Sequence, residues 1–248
     1  MAKEGKAYLK DLVTSIEYPS DAFTLKLANG KRIFSISTKN PEISDYFAIS
    51  AIYDSICEID QEIKFAFSRA ISLNIPHPLM DHKPFSKPSS EEALALYHTK
   101  NIVFRVSVLW DMLAQLCNVI FHTENKKNKE RTEKIYYAQY FNNHAQGKKA
   151  LVFAKEVNDY LRQEEGNADI NPWPGNHAFL NKYRNDMTHN VSPNATSFST
   201  LGVRLRPPTM YVLHRTVEDY SVVSAFLQRL ITEYLTKYSE RDILENLS

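Results

Sequence analysis

The stretch KYRNDMTHNVSP, residues 182–193, places Arg184, Asn185, Thr188, His189 and Asn190 together directly after an apolar helical run. A helix end needs one or two polar groups for its last carbonyls. This one carries a guanidinium that is always charged, an imidazole that titrates near neutrality, and two amides. Such a set suits phosphodiester cleavage. His189 can take a proton from a ribose 2′-OH or give one to the leaving oxygen. Arg184 can hold the non-bridging oxygens with forked hydrogen bonds while negative charge builds. Asn185 can orient either group. The chemistry needs no metal and no cofactor. Arg184 and His189 lie about 140° apart around an ideal helix. They converge only if the helix ends near Thr188 and His189 leaves the spiral. The plain alternative is a cation set against the negative end of a helix dipole.

The elements that must position these residues are mostly helical. Six glycines in 248 residues argue against a turn-dense all-β chain and against glycine-rich phosphate loops. One hairpin is expected at 23–37, where apolar and polar residues alternate on both sides of Asn29-Gly30. Apolar spacing of three and four residues predicts helices over 43–73, 91–122, 130–146, 148–163, 176–188 and 217–238. Ser89 or Ser90 followed by Glu91 and Glu92 marks the start of the second of these. Ser192-Pro193 stops the helix that carries Arg184. Alternation around Pro207-Pro208 suggests a second hairpin or a pair of extended segments over 198–215. The fold class is mainly α: a helical bundle with two small β decorations. Residues 1–40 form an N-terminal β-hairpin element packed on a helical domain over 41–248.

Composition bounds the function. With 43% hydrophobic and 24% charged residues, the chain has the profile of a soluble globular protein. A net charge of +1 gives no global attraction to nucleic acid or membrane, so any basic surface must be local. Cys57 and Cys117 lie in apolar helical contexts and read as small buried side chains. The polar N-terminus predicts no signal peptide, and no uncharged apolar run is long enough to span a bilayer. The expected compartment is the cytoplasm, without a membrane partner.

Arg-Asn-x-x-x-His, here R184-N-D-M-T-H189, resembles the Arg-x(4–6)-His signature of the HEPN superfamily (higher eukaryotes and prokaryotes nucleotide-binding domain). The resemblance covers about Ile43 to Tyr238. It implies a core of four or five helices with the motif near the end of a late helix. It also implies a homodimer in which two motifs face one cleft. The activity it implies is metal-independent cleavage of RNA by Arg184, His189 and Asn185, in a toxin or defence setting with an unidentified antitoxin or regulator. Other members are non-catalytic, so the alternative is a nucleotide- or RNA-binding or scaffold protein. The two hairpins and the absence of a nucleotidyltransferase partner domain depart from the family's usual form.

Several features bear on that reading. Asp111, Gln115, Asn118 and His122 form one polar stripe on an otherwise apolar helix. The stripe is either a seam paired with neighbouring helices or water, or a face that supports Arg184 and His189, with Asp111 or Asn118 as the supporting residue. The run 122–134 carries five basic residues among three glutamates and is either a solvated connection or an RNA-backbone contact. Tyr136, Tyr137, Tyr140 and Phe141 fit core or subunit packing better than base stacking. His77, Asp81, His82 and His98 match no zinc spacing. No P-loop, dinucleotide fingerprint or serine nucleophile elbow is present in the sequence.

Overall fold

The computed structural model describes residues 2–19, 21–23, 41–78, 80–123, 135–147, 150–165, 173–189, 192–199 and 202–237. The chain is mainly helical. Seven helices occur among the described residues: α1 (Ala2–Thr14), α2 (Pro41–Ser72), α3 (Ser90–Phe121), α4 (Tyr137–His144), α5 (Val152–Leu161), α6 (Asn176–His189) and α7 (Thr209–Lys237). Two short antiparallel pairs accompany them. β1 (Glu164–Glu165) pairs with β2 (Trp173–Pro174), and β3 (Ser197–Ser199) pairs with β4 (Gly202–Arg204).

α3 is the central helix and packs against α2, α4, α6 and α7. Its start follows the sequence signal. The Ser89 hydroxyl accepts from the Glu92 amide at 3.1 Å, and Glu91 and Glu92 sit in the positive first turn. It ends at His122, which takes a left-handed conformation with φ of 48°. By length and composition α3 could cross a membrane, although Arg105 and Asp111 interrupt it, so it is not an uncharged apolar run. Here its apolar residues, among them Ile102, Val106, Leu109, Trp110 and Leu113, fill the bundle core.

The structure departs from the sequence reading at both ends. Residues 2–14 form a helix, with Leu9 and Val13 buried one turn apart. The hairpin expected at 23–37 lies outside the described residues apart from Phe23, which is buried against Tyr46 and Tyr53. The second hairpin is shorter than 198–215 and pairs Phe198 with Val203. Pro207-Pro208 does not centre a hairpin. It leads into α7, whose first turn closes with the Val212 amide on the Pro208 carbonyl. The last helix therefore starts at Thr209 and not at Val217. The expected helices over 130–146 and 148–163 are confined to α4 and α5 in the described residues. Gly147, with φ of 87°, breaks the chain between them.

Candidate functional site

The site is carried by α6, and three devices hold that helix. Gly175 precedes it, and its carbonyl accepts the Phe179 amide at 3.0 Å. A side chain at Gly175 would place its Cβ 2.0 Å from the Gln163 carbonyl oxygen, so only glycine fits. Leu180 and Tyr183 then pack with Val103 of α3 and Val212 of α7 in a small buried cluster of their own. Finally, the buried Asp186 pairs with Lys182 at 3.0 Å and with Arg204 of β4.

Arg184 faces α3. Its Nη1 donates to Ser107 Oγ at 2.6 Å, while Nε and Nη2 donate to Asn185 Oδ1 at 3.3 and 3.0 Å. Three of the five guanidinium N–H groups are thus engaged, and one hydrogen on each terminal nitrogen makes no hydrogen bond among the described residues. His189 does not leave the spiral. It is the last residue of α6 and is exposed, so it stays about 140° around the helix from Arg184. No hydrogen bond joins the two among the described residues. Asn185 links them: it grips the guanidinium and lies one turn before His189 on the same helix face. Asn190 lies outside the described residues.

The α3 residue that meets Arg184 is Ser107, one turn before Asp111. Among the described residues, the hydrogen bonds of Asp111 and Asn118 go elsewhere. Asp111 Oδ1 accepts from the Tyr137 amide at 3.4 Å, and Asn118 Oδ1 accepts from Thr123 at 2.9 Å. Gln115 is exposed. The stripe is one half of a longer edge. In steps of three, seven and four residues, Leu94, Tyr97, Phe104 and Val108 precede it on α3 and are between 38% and 60% exposed. The basic run over 124–134 lies outside the described residues. Tyr137, Tyr140 and Phe141 are buried in the core. Cys117 is also buried, which pushes its thiol up from the ordinary value. Of the scattered histidines, His82 bonds the Arg206 carbonyl at 2.8 Å.

A buried polar junction beside α6 has no counterpart in the sequence reading. Asp219 of α7 is 1% exposed. Its carboxylate accepts from Trp110 Nε1 at 3.0 Å, from the Tyr160 hydroxyl at 2.8 Å and from His177 Nδ1 at 3.3 Å. With Nδ1 donating to the carboxylate, Nε2 is left to accept from the Tyr137 hydroxyl at 3.0 Å. Burial raises the Tyr137 phenol above its ordinary value, opposed by the nearby Arg184 charge, so the phenol stays a donor. One carboxylate therefore ties α3, α5, α6 and α7 together, and α4 joins through His177. Its members are scattered from Trp110 to Asp219, so no spacing announces them.

Between α4, α5 and α6 opens a cleft of about 510 Å³, lined by Asn158, Arg162, His177, Asn181, Lys182 and Asn185 among others. His177, Asn181, Asn185 and His189 follow at four-residue steps, so the cleft wall and the exposed imidazole share one stripe of α6. The chain matches no protein-family model, no curated protein and no solved structure.

Proposed function

We propose that the protein is a metal-independent endoribonuclease of HEPN type, acting as a homodimer through Arg184, Asn185 and His189. One observation carries this reading. The Arg184 guanidinium is held by Asn185 and Ser107 with two N–H groups left over for an anion, on the helix that ends in an exposed imidazole. Attack of a 2′-oxygen on phosphorus forms the O2′–P bond and breaks P–O5′. One imidazole takes the 2′-OH proton, and a protonated imidazole supplies one to the 5′-oxygen. The guanidinium stabilises the charge on the non-bridging oxygens. Within one copy the 140° offset separates the two groups, and two imidazoles serve the two proton transfers better than one. Both points favour a two-fold assembly. The half-exposed edge of Leu94, Tyr97, Phe104 and Val108 runs beside Ser107 and offers the second copy an apolar face.

The second reading is a nucleotide- or RNA-binding module without turnover. It is favoured by the same offset, because a monomer presents the cation and the base on different faces.

The test is cleavage of RNA and of DNA of the same sequence by purified protein in EDTA. RNA should be cut to cyclic or 3′-phosphate and 5′-OH ends, and DNA should remain intact because it has no 2′-OH. His189→Ala should lower the rate by about 10²–10⁴-fold and Arg184→Ala by about 10²–10³-fold, with both variants folded. Cleavage unchanged from the wild type in both variants would assign the activity to a contaminant. RNA binding without cleavage would select the second reading.

A further inference from the structure

The cleft beside α6 is lined by amide side chains that are not used in hydrogen bonds elsewhere among the described residues. Asn158 of α5 lines the cleft, and its side-chain amide makes no hydrogen bond among the described residues and keeps contact with the solvent of the cleft. Asn181 lines the same cleft from α6 and is likewise without a side-chain hydrogen bond there. Asn185 uses its oxygen on Arg184, which leaves its NH₂. His177 borders the cleft, but both ring nitrogens are taken by Asp219 and Tyr137, so it offers ring surface and no proton. Two cations flank these groups. Arg162 bonds Asn142, and Lys182 pairs with Asp186, whose charge Arg204 also neutralises.

The ligand that fits has a flat, neutral hydrogen-bonding head and an anionic tail. An amide side chain sets a donor beside an acceptor, and each nucleobase edge carries such a complementary pair. A simple anion would leave the amides of Asn158 and Asn181 half used, and an apolar ligand would leave them unpaired. The volume lies within the roughly 300–1,000 Å³ typical of small-ligand sites. Asn181 lies about 12 Å along the helix from His189, at 1.5 Å per residue.

We propose that this cleft is a base-reading subsite for single-stranded RNA, in which Asn158 and Asn181 bind the edge of an unstacked base and Arg162 or Lys182 meets its phosphate. The proposal rests on the nucleic-acid reading above. It adds that substrate choice is set by α5 and by the first half of α6, away from Arg184 and His189. Recognition of splayed bases by side-chain edges is the usual route to sequence preference in RNA.

Two measurements test it. First, the full-length protein is titrated with AMP, GMP, CMP and UMP, in the wild type and in Asn158→Leu and Asn181→Ala. One nucleotide should bind at least about tenfold tighter than the weakest, and each substitution should remove most of that difference. Circular dichroism identifies a variant that fails to fold. Asn181 is half-exposed on a helix, so its alanine variant keeps the test open if Asn158→Leu unfolds. Second, cut sites are mapped on a mixed-sequence RNA, where both variants should relax the base preference. Nucleotide binding through Asn158 without RNA cleavage would uphold the subsite and remove the nuclease reading. Cleavage with unchanged cut sites and unchanged nucleotide affinities in both folded variants would overturn the subsite and leave the nuclease reading intact. Absence of binding by all four nucleotides at millimolar concentration would also overturn it.

Discussion

Arg184 has its orientation fixed before any ligand arrives, because Ser107 and Asn185 occupy three of its N–H groups. A planar guanidinium so held is pre-organised for a phosphate, and a lysine ammonium cannot reproduce it. Arg184→Lys should therefore lose about 10²-fold or more in kcat while KM changes less, since the guanidinium acts where charge develops. Ser107→Ala removes one orienting bond, worth about 0.5–1.5 kcal/mol, and should cost roughly 2–12-fold in rate. Steady-state cleavage of a fluorescent RNA measures both. A fully active Arg184→Lys would show that only charge matters. The motif residues were legible because type and spacing coincide within one short segment. Ser107 was not legible, although it lies on the helix expected to support Arg184, one turn before Asp111. His177 and Asn158 were not either, because each gains its meaning from partners on other helices.

At the scale of elements, the position of α6 depends on the close approach of Gly175 to Gln163. Gly175→Ala forces a methyl against a backbone oxygen, and overpacking of this kind costs about 1–3 kcal/mol. Thermal unfolding should fall by roughly 3–10 °C, and RNA binding should weaken with it. An unchanged Tm would mean that the entry to α6 moves freely. Breaking the Arg206–Glu92 pair is a second test of element placement. Both side chains are buried, 2.8 Å apart, and they join the start of α3 to the approach to α7. Arg206→Met leaves a buried carboxylate without its cation and should cost about 3–5 kcal/mol in urea unfolding. The long helices were readable because their apolar residues recur at helical spacing over many turns. α1 was not, since its few apolar positions are diluted by charges and gain their burial only from the rest of the bundle. The start of α7 was misplaced because the alternation before Thr216 imitates a strand, whereas the Pro208 carbonyl serves as the helix's first acceptor.

At the scale of the whole molecule, the α3 edge and the Asp219 junction act in opposite directions, one outward and one inward. Phe104→Glu with Val108→Glu puts like charges on the apolar edge proposed to meet a second copy. Light scattering at micromolar concentration should then report a monomer, and RNA cleavage should fall with the loss of the partner copy. A dimer that survives both substitutions would move the two-fold contact to another face. Asp219→Ala leaves donors from Trp110, Tyr160 and His177 unpaired in the core, each costing about 1–3 kcal/mol, and should unfold much of the chain. Asp219→Asn keeps one acceptor oxygen and should be milder. The junction also has an optical consequence. Trp110 is fully buried, donates its indole N–H to that carboxylate and stacks 5.7 Å from Tyr160. The chain has two tryptophans, so Trp173→Phe leaves Trp110 as the sole indole emitter. Its fluorescence then reads a junction where five helices meet. On denaturation the red shift of that emission should coincide with loss of far-ultraviolet ellipticity in a single step. Two separated transitions would mean that α6 swings away while the rest of the bundle stays folded.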